Sequence, residues 1–93
     1  MQQQIETKHM TGHEYGVTVT EGDHSTHHRV RVPERLRDEL GFVDLDEAEL
    51  VRESFHFLLE REPADSILSD FDLDVISRYF PDYESEIRTR LGG

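Results

Sequence analysis

The densest concentration of side chains able to bind a metal or move a proton is His24-Ser-Thr-His27-His28, with His9 and His13 upstream. A metal site needs such groups to converge on one point, completed by carboxylate or thiolate ligands. His24, His27 and His28 are the candidate ligands, yet His27 and His28 are neighbours, and neighbours on an extended strand point to opposite faces. The pattern therefore favours solvated hairpin histidines, and no metal or other cofactor is expected. Asp70-Phe-Asp72-Leu-Asp74 opens like a calcium loop, but Val75 stands at the sixth position, where the turn wants glycine, and Pro81 at the twelfth, where a bidentate glutamate belongs. Helix capping by Asp72 or Asp74 accounts for those acids better. His56 near Ser54 suggests acid–base chemistry, but the two diverge on a helix and no third group orients the imidazole. Glycine-rich phosphate loops, nucleophile elbows and zinc-protease motifs are absent, as is cysteine, so the sequence predicts a protein that is not an enzyme.

Those residues must be positioned by a small fold. Ninety-three residues, 34% hydrophobic and 33% charged, suit one domain with a modest core, placed at residues 13–93 behind a polar, frayed segment at 1–12. The longest apolar run is Phe57-Leu58-Leu59, against the roughly 18 residues a membrane span needs, so no membrane partner is expected and the location reads as cytoplasmic. The formal charge is −11, and nine of the ten basic residues are arginine, with Lys8 the single lysine. Acid excess with scarce lysine resembles the composition of salt-adapted proteins, a bias to which arginine-rich codon usage would also contribute. Only four acids and three bases fall within residues 1–33, so the acidity belongs to the C-terminal part.

Tyr15-Gly-Val-Thr-Val-Thr and His28-Arg-Val-Arg-Val alternate apolar and polar residues around the turn-forming Glu21-Gly-Asp-His, which predicts a β-hairpin. Tyr15, Val17, Val19, Val30 and Val32 share one face; Thr18, Thr20, Arg29 and Arg31 share the other. Pro33 opens a short helix that Gly41 stops. Asp46, with Glu49 three residues on, caps a long helix from Glu47 to about Glu62, ended by Pro63. Val51, Phe55, Leu58 and Leu59 form its apolar face, and Leu50, Ser54 and Phe57 widen it, an arc broad enough to pack on two sides and to favour a homodimer. Short helical turns are expected at 66–68 and 73–80, and a final helix from Asp82 to Leu91. The predicted class is α+β: an N-terminal β-hairpin packed on a mainly helical C-terminal two-thirds.

The run from Arg29 to Glu62, with Val30, Val32, Pro33, Leu36 and Leu40 followed by Leu50-Val51-Arg52-Glu53, resembles the ribbon-helix-helix family of DNA-binding regulators and antitoxins. The resemblance implies a dimeric ribbon that places Arg29 and Arg31 against base edges in the major groove. Gly41 stops the first helix early, and Asp44 and Asp46 stand where phosphate would approach. The C-terminal Arg90-Leu91-Gly92-Gly93 is similar to the tail of ubiquitin-like modifiers, which would make the diglycine a conjugation point, although here it follows a helical pattern. With no chemistry encoded, the leading expectation is a non-enzymatic protein-interaction module with an unidentified protein partner. Phe71, Tyr79, Phe80 and Tyr83 are its candidate anchors. DNA binding through Arg29 and Arg31 is the alternative, and the modifier a lesser one.

Overall fold

The computed structural model describes residues 3–41 and 44–92. Three antiparallel strands come first: β1 (Gln3–Thr11), β2 (Glu14–Glu21) and β3 (His24–Arg31). Their two tight turns place Gly12 and Gly22 at φ of 55° and 61°, the left-handed region where a side chain is strained. The chain then forms α1 (Glu34–Leu40) and α2 (Glu47–Leu59), and a short 3-10 turn at Ala64–Ser66 leads into β4 (Asp70–Asp72). A second 3-10 turn, Leu73–Val75, runs into α3 (Ile76–Tyr79), and α4 (Tyr83–Gly92) ends the described chain. The sheet order is β1-β2-β3-β4, with β4 parallel to β3.

The architecture corrects the predicted N-terminal hairpin: the chain is α+β, but its sheet has four strands. Two signals were missed. Gln3–Thr11, expected to fray, is a strand, because Ile5 and Thr7 sit beside Val19 and Val17 and extend the buried face of β2 even though their neighbours are polar. Residues 1 and 2 of that segment lie outside the described residues. Asp70-Phe71-Asp72, expected to be loop and helix caps, pairs with Arg29-Val30-Arg31, which sets Phe71 beside Val30 on the buried face. Three residues of alternating polarity carry too little periodicity to announce a strand. Asp72 makes no capping bond; its carboxylate goes to Arg31 instead.

The helices follow local rules more closely. Pro33 stands at the N-cap of α1, and Gly41 closes it at φ 85°. Asp46 caps α2 by accepting a hydrogen bond from the Ala48 amide at 3.0 Å. α2 ends at Leu59, short of the expected Glu62, and Arg61 and Glu62 fold back in a turn whose amides reach the Leu58 carbonyl. Both sides of α2 are covered within one chain. Phe55 stacks toward the sheet against His28 and Phe71, while Phe57 meets Tyr83 and Phe80 from the C-terminal helices. The apolar width that suggested a dimer is thus used internally.

Two groups bind α2 to α4. Arg61 lies over the Phe57 ring at 3.7 Å and donates to the Asp82 carboxylate at 2.6 Å. Arg90 donates to Glu60, holding that carboxyl below its ordinary range. Deeper in, the Ser54 hydroxyl donates to the Leu50 carbonyl at 2.7 Å and so accepts from the Tyr83 hydroxyl, also at 2.7 Å. Ser54 and Tyr83 are fully buried, and burial pushes the Tyr83 phenol well up from its usual value.

The pair is asymmetric under mutation. Ser54→Ala strands a buried phenol and should cost about 1–3 kcal/mol. Tyr83→Phe leaves Ser54 bonded to Leu50 and should cost about 0.5–1.5 kcal/mol. Urea unfolding of the two variants checks the order; equal losses would mean that the phenol finds another partner.

Candidate docking groove at the β4 margin

The described residues form a concave surface lined almost wholly by apolar side chains. It lies beside β4, where Leu58 and Glu62 at the end of α2, Ile67 and Leu68 ahead of β4, Phe71 within it, and Val75, Ile76, Tyr79 and Phe80 beyond it surround about 390 Å³. Leu68 is 49% exposed and Tyr79 68%, against nearly complete burial of Phe71 and Ile76. The groove therefore has a packed floor and two large, accessible walls. Glu62 is the only carboxylate among its lining residues, and the apolar surroundings push its carboxyl up from the ordinary glutamate range.

The local sequence explains the shape. Pro63 cannot continue α2, so the chain turns away from the helix end and runs Ala64 to Ser69 back toward the sheet. His28 catches it there. Its Nδ1 lies 2.8 Å from the Leu68 carbonyl, which can only accept, so Nδ1 carries the hydrogen; Nε2, 2.9 Å from the Thr26 hydroxyl, is then the acceptor. The next carbonyl, Ser69, accepts from the Arg29 amide at 2.7 Å and begins the β4 ladder. On the outer face, Arg31 donates to Asp72 at 2.6 Å and to Asp70 at 2.8 Å, clamping β4 from the other side.

The structure separates the residues singled out in sequence. Phe71, Tyr79 and Phe80 come together in the groove. Tyr83 does not: it is core, bonded to Ser54. Leu68, Ile67 and Glu62 were missed, because an apolar pair in a short loop carries no period and burial of one glutamate is a tertiary fact. The three candidate ligands diverge: His24 bonds Asp65 at the hairpin end, His27 bonds Thr18 on the outer face, and His28 is buried on the helix side. No group of three or more ligating side chains converges among the described residues.

Arg29 and Arg31 share the outer face, as alternation requires, but from Arg29 to Arg31 the strand is paired with β2 on one edge and β4 on the other, so that stretch has no free edge from which to build a ribbon with a second chain. Arg31 is held by Asp70, Asp72 and, at 3.7 Å, Glu14. Gly92 ends α4, and Gly93 lies outside the described residues.

A second polar cluster went unpredicted. Glu47, in the first turn of α2 with a side chain 10% exposed, accepts from His13 Nδ1 at 2.7 Å and from the Tyr15 hydroxyl at 3.2 Å, with Arg37 at 3.7 Å. Burial, then the adjacent Glu47 carboxylate, raises the Tyr15 phenol. The cluster joins the β1–β2 turn to the helices, and the helix N-terminus favours its negative charge.

His28→Leu preserves apolar bulk but leaves the Leu68 carbonyl without its donor, which should cost about 1–3 kcal/mol. Hydrogen exchange at the Arg29 amide should accelerate beyond that at β2 amides, because the loss falls on the β3–β4 junction; uniform acceleration would place His28 outside the support of the groove. No described helix is long and apolar enough to cross a membrane. Comparison with models of protein families, with curated proteins and with solved structures finds no match.

Proposed function

We propose that this chain is a non-enzymatic protein-binding module whose docking surface is the groove beside β4. The observation that carries the reading is the pairing of two exposed apolar walls, Leu68 and Tyr79, with a buried aromatic floor at Phe71. Large side chains held in water over a packed concavity gain free energy when a partner covers them. The partner is a segment of another protein with apolar anchors flanked by lysine or arginine. Glu62, partly stripped of water within the groove, gains from a cation placed beside it, and a net charge of −11 attracts basic chains at long range.

Selection of random displayed peptides against the folded chain tests this directly. Enriched peptides should carry an aromatic or branched aliphatic anchor near basic residues. Their affinity should fall at least about tenfold in the Leu68→Ala, Tyr79→Ala double variant, as loss of two anchor contacts implies. Both positions are exposed, so the fold should survive. Glu62→Gln should weaken basic peptides by about two- to fivefold, the worth of a partly exposed ion pair. Failure to enrich any peptide, or enrichment of peptides indifferent to the double variant, defeats the reading.

In the free protein the raised Glu62 carboxyl has a definite pH signature. Its folded form holds the proton more tightly than the unfolded chain does, so its contribution to stability declines as pH rises from the ordinary glutamate range through the folded value. Glu62→Gln should remove that decline in urea unfolding profiles across mildly acidic pH. An unchanged profile would mean that the carboxyl is fully hydrated.

A further inference from the structure

The opposite margin of the sheet carries a different surface. β1 is nine residues long, contains no proline, and among the described residues is paired on its inner side alone. The Val32 amide donates to the His13 carbonyl at 2.9 Å, which sets the phase of the β2–β3 ladder. In that phase the backbone groups of Tyr15, Val17 and Val19 face β3, so those of Gly16, Thr18 and Thr20 face β1. Their partners on β1 are Lys8, Glu6 and Gln4. The N–H and C=O groups of Ile5 and Thr7 consequently point away from the sheet. Exposed edges of this length template pairing with another strand unless something blunts them.

A lone lysine would repel its copy and blunt the edge. Here Lys8 is accompanied by Glu6, two residues earlier on the same face, and among the described residues neither has an ion-pair partner within the chain. Lay a second β1 antiparallel to the first about a two-fold axis at Thr7. Glu6 then faces the partner's Lys8, and Lys8 faces the partner's Glu6. Thr7 faces the partner's Thr7, and Ile5 faces the partner's His9. The ladder phase agrees with this register independently of charge. Ile5 and Thr7, whose backbone groups point outward, fall at hydrogen-bonded positions, while the Glu6 and Lys8 pairs fall at the non-hydrogen-bonded positions where side chains approach most closely. Residues 1–33 carry four of the 21 acids and three of the ten bases, so the strands that meet add little charge repulsion of their own.

We propose that two copies of this chain pair antiparallel through β1, in the register centred on Thr7, to form one continuous sheet. The contact is isologous and closes on itself, giving a dimer and not a filament. It leaves both β4 margins open, so each dimer presents two docking grooves. The dimer does not depend on the groove being occupied.

The test is sedimentation equilibrium of the full chain over a concentration series, with four variants. The wild type should dimerise. Thr7→Pro removes an outward N–H at a position where an edge strand tolerates proline, and should yield a folded monomer, its fold checked by circular dichroism. Glu6→Lys and Lys8→Glu should each weaken self-association about tenfold or more, since each replaces two attractive cross-strand pairs with two repulsive ones. Mixing these two single variants should restore dimers, because two lysines of one chain then face two glutamates of the other, and so should the double variant alone. General repulsion between acidic copies agrees for Lys8→Glu but forecasts the opposite for Glu6→Lys, which would then strengthen association. That outcome, a wild-type monomer throughout the series, or a dimer indifferent to Thr7→Pro overturns the proposal.

Discussion

The two-sided burial of α2 is the constraint on which the other packing depends. Phe55 and Phe57 lie two residues apart and point to different neighbours, one to the inner face of the sheet and one to the C-terminal helices. Each buried aromatic contributes roughly 1.5–3 kcal/mol of transfer free energy, a large share of the stability of so small a domain. Because Tyr83 arrives from α4 with a hydroxyl, the same interface must also satisfy a polar atom. Ser54 does so from within the helix, relaying the bond to the Leu50 carbonyl. The result is a core that specifies the placement of α4 by hydrogen-bond geometry as well as by shape.

The margin formed by β4 is held differently. Three residues of parallel pairing would be a weak attachment alone. They are reinforced on one face by His28, which holds the Leu68 carbonyl, and on the other by Arg31 between Asp70 and Asp72. The residues that shape the groove are therefore anchored through β3 from both faces. Arg31, which in sequence invites comparison with a DNA-reading arginine, is occupied in organising the edge of its own sheet. Asp70 and Asp72, which begin like a calcium loop, are its counter-charges.

The two margins of the sheet differ in what they offer. β4 is short, tied down and flanked by exposed apolar side chains, so recognition there rests on side-chain contact. β1 is long and polar, with backbone groups directed outward, so recognition there rests on ladder hydrogen bonds and on the order of charges along the strand. Acid is concentrated beyond residue 33, and β1 itself, with Glu6 and Lys8 as its charged residues, carries no net charge.

Local grammar determined much of this protein. Alternation named Tyr15, Val17, Val19, Val30 and Val32 as one buried face, and Pro33, Gly41 and Asp46 marked where α1 starts, where it stops and where α2 begins, because capping and φ preferences act within a few residues. The helical period likewise found the apolar arc of α2. Tertiary structure decided the rest. β1 is a strand because β2 offers it a ladder and a buried face, although its own residues are mostly polar; β4 is a strand because β3 has an unoccupied edge and Arg31 a charge to satisfy. The groove, too, was half legible: Phe71, Tyr79 and Phe80 stood out as aromatics, but their gathering with Leu68 and Glu62, and the departure of Tyr83 into the core, depend on where α2 ends and which carbonyl His28 can reach. Such facts arise from contacts between residues about 40 positions apart, and no periodicity in the chain encodes them.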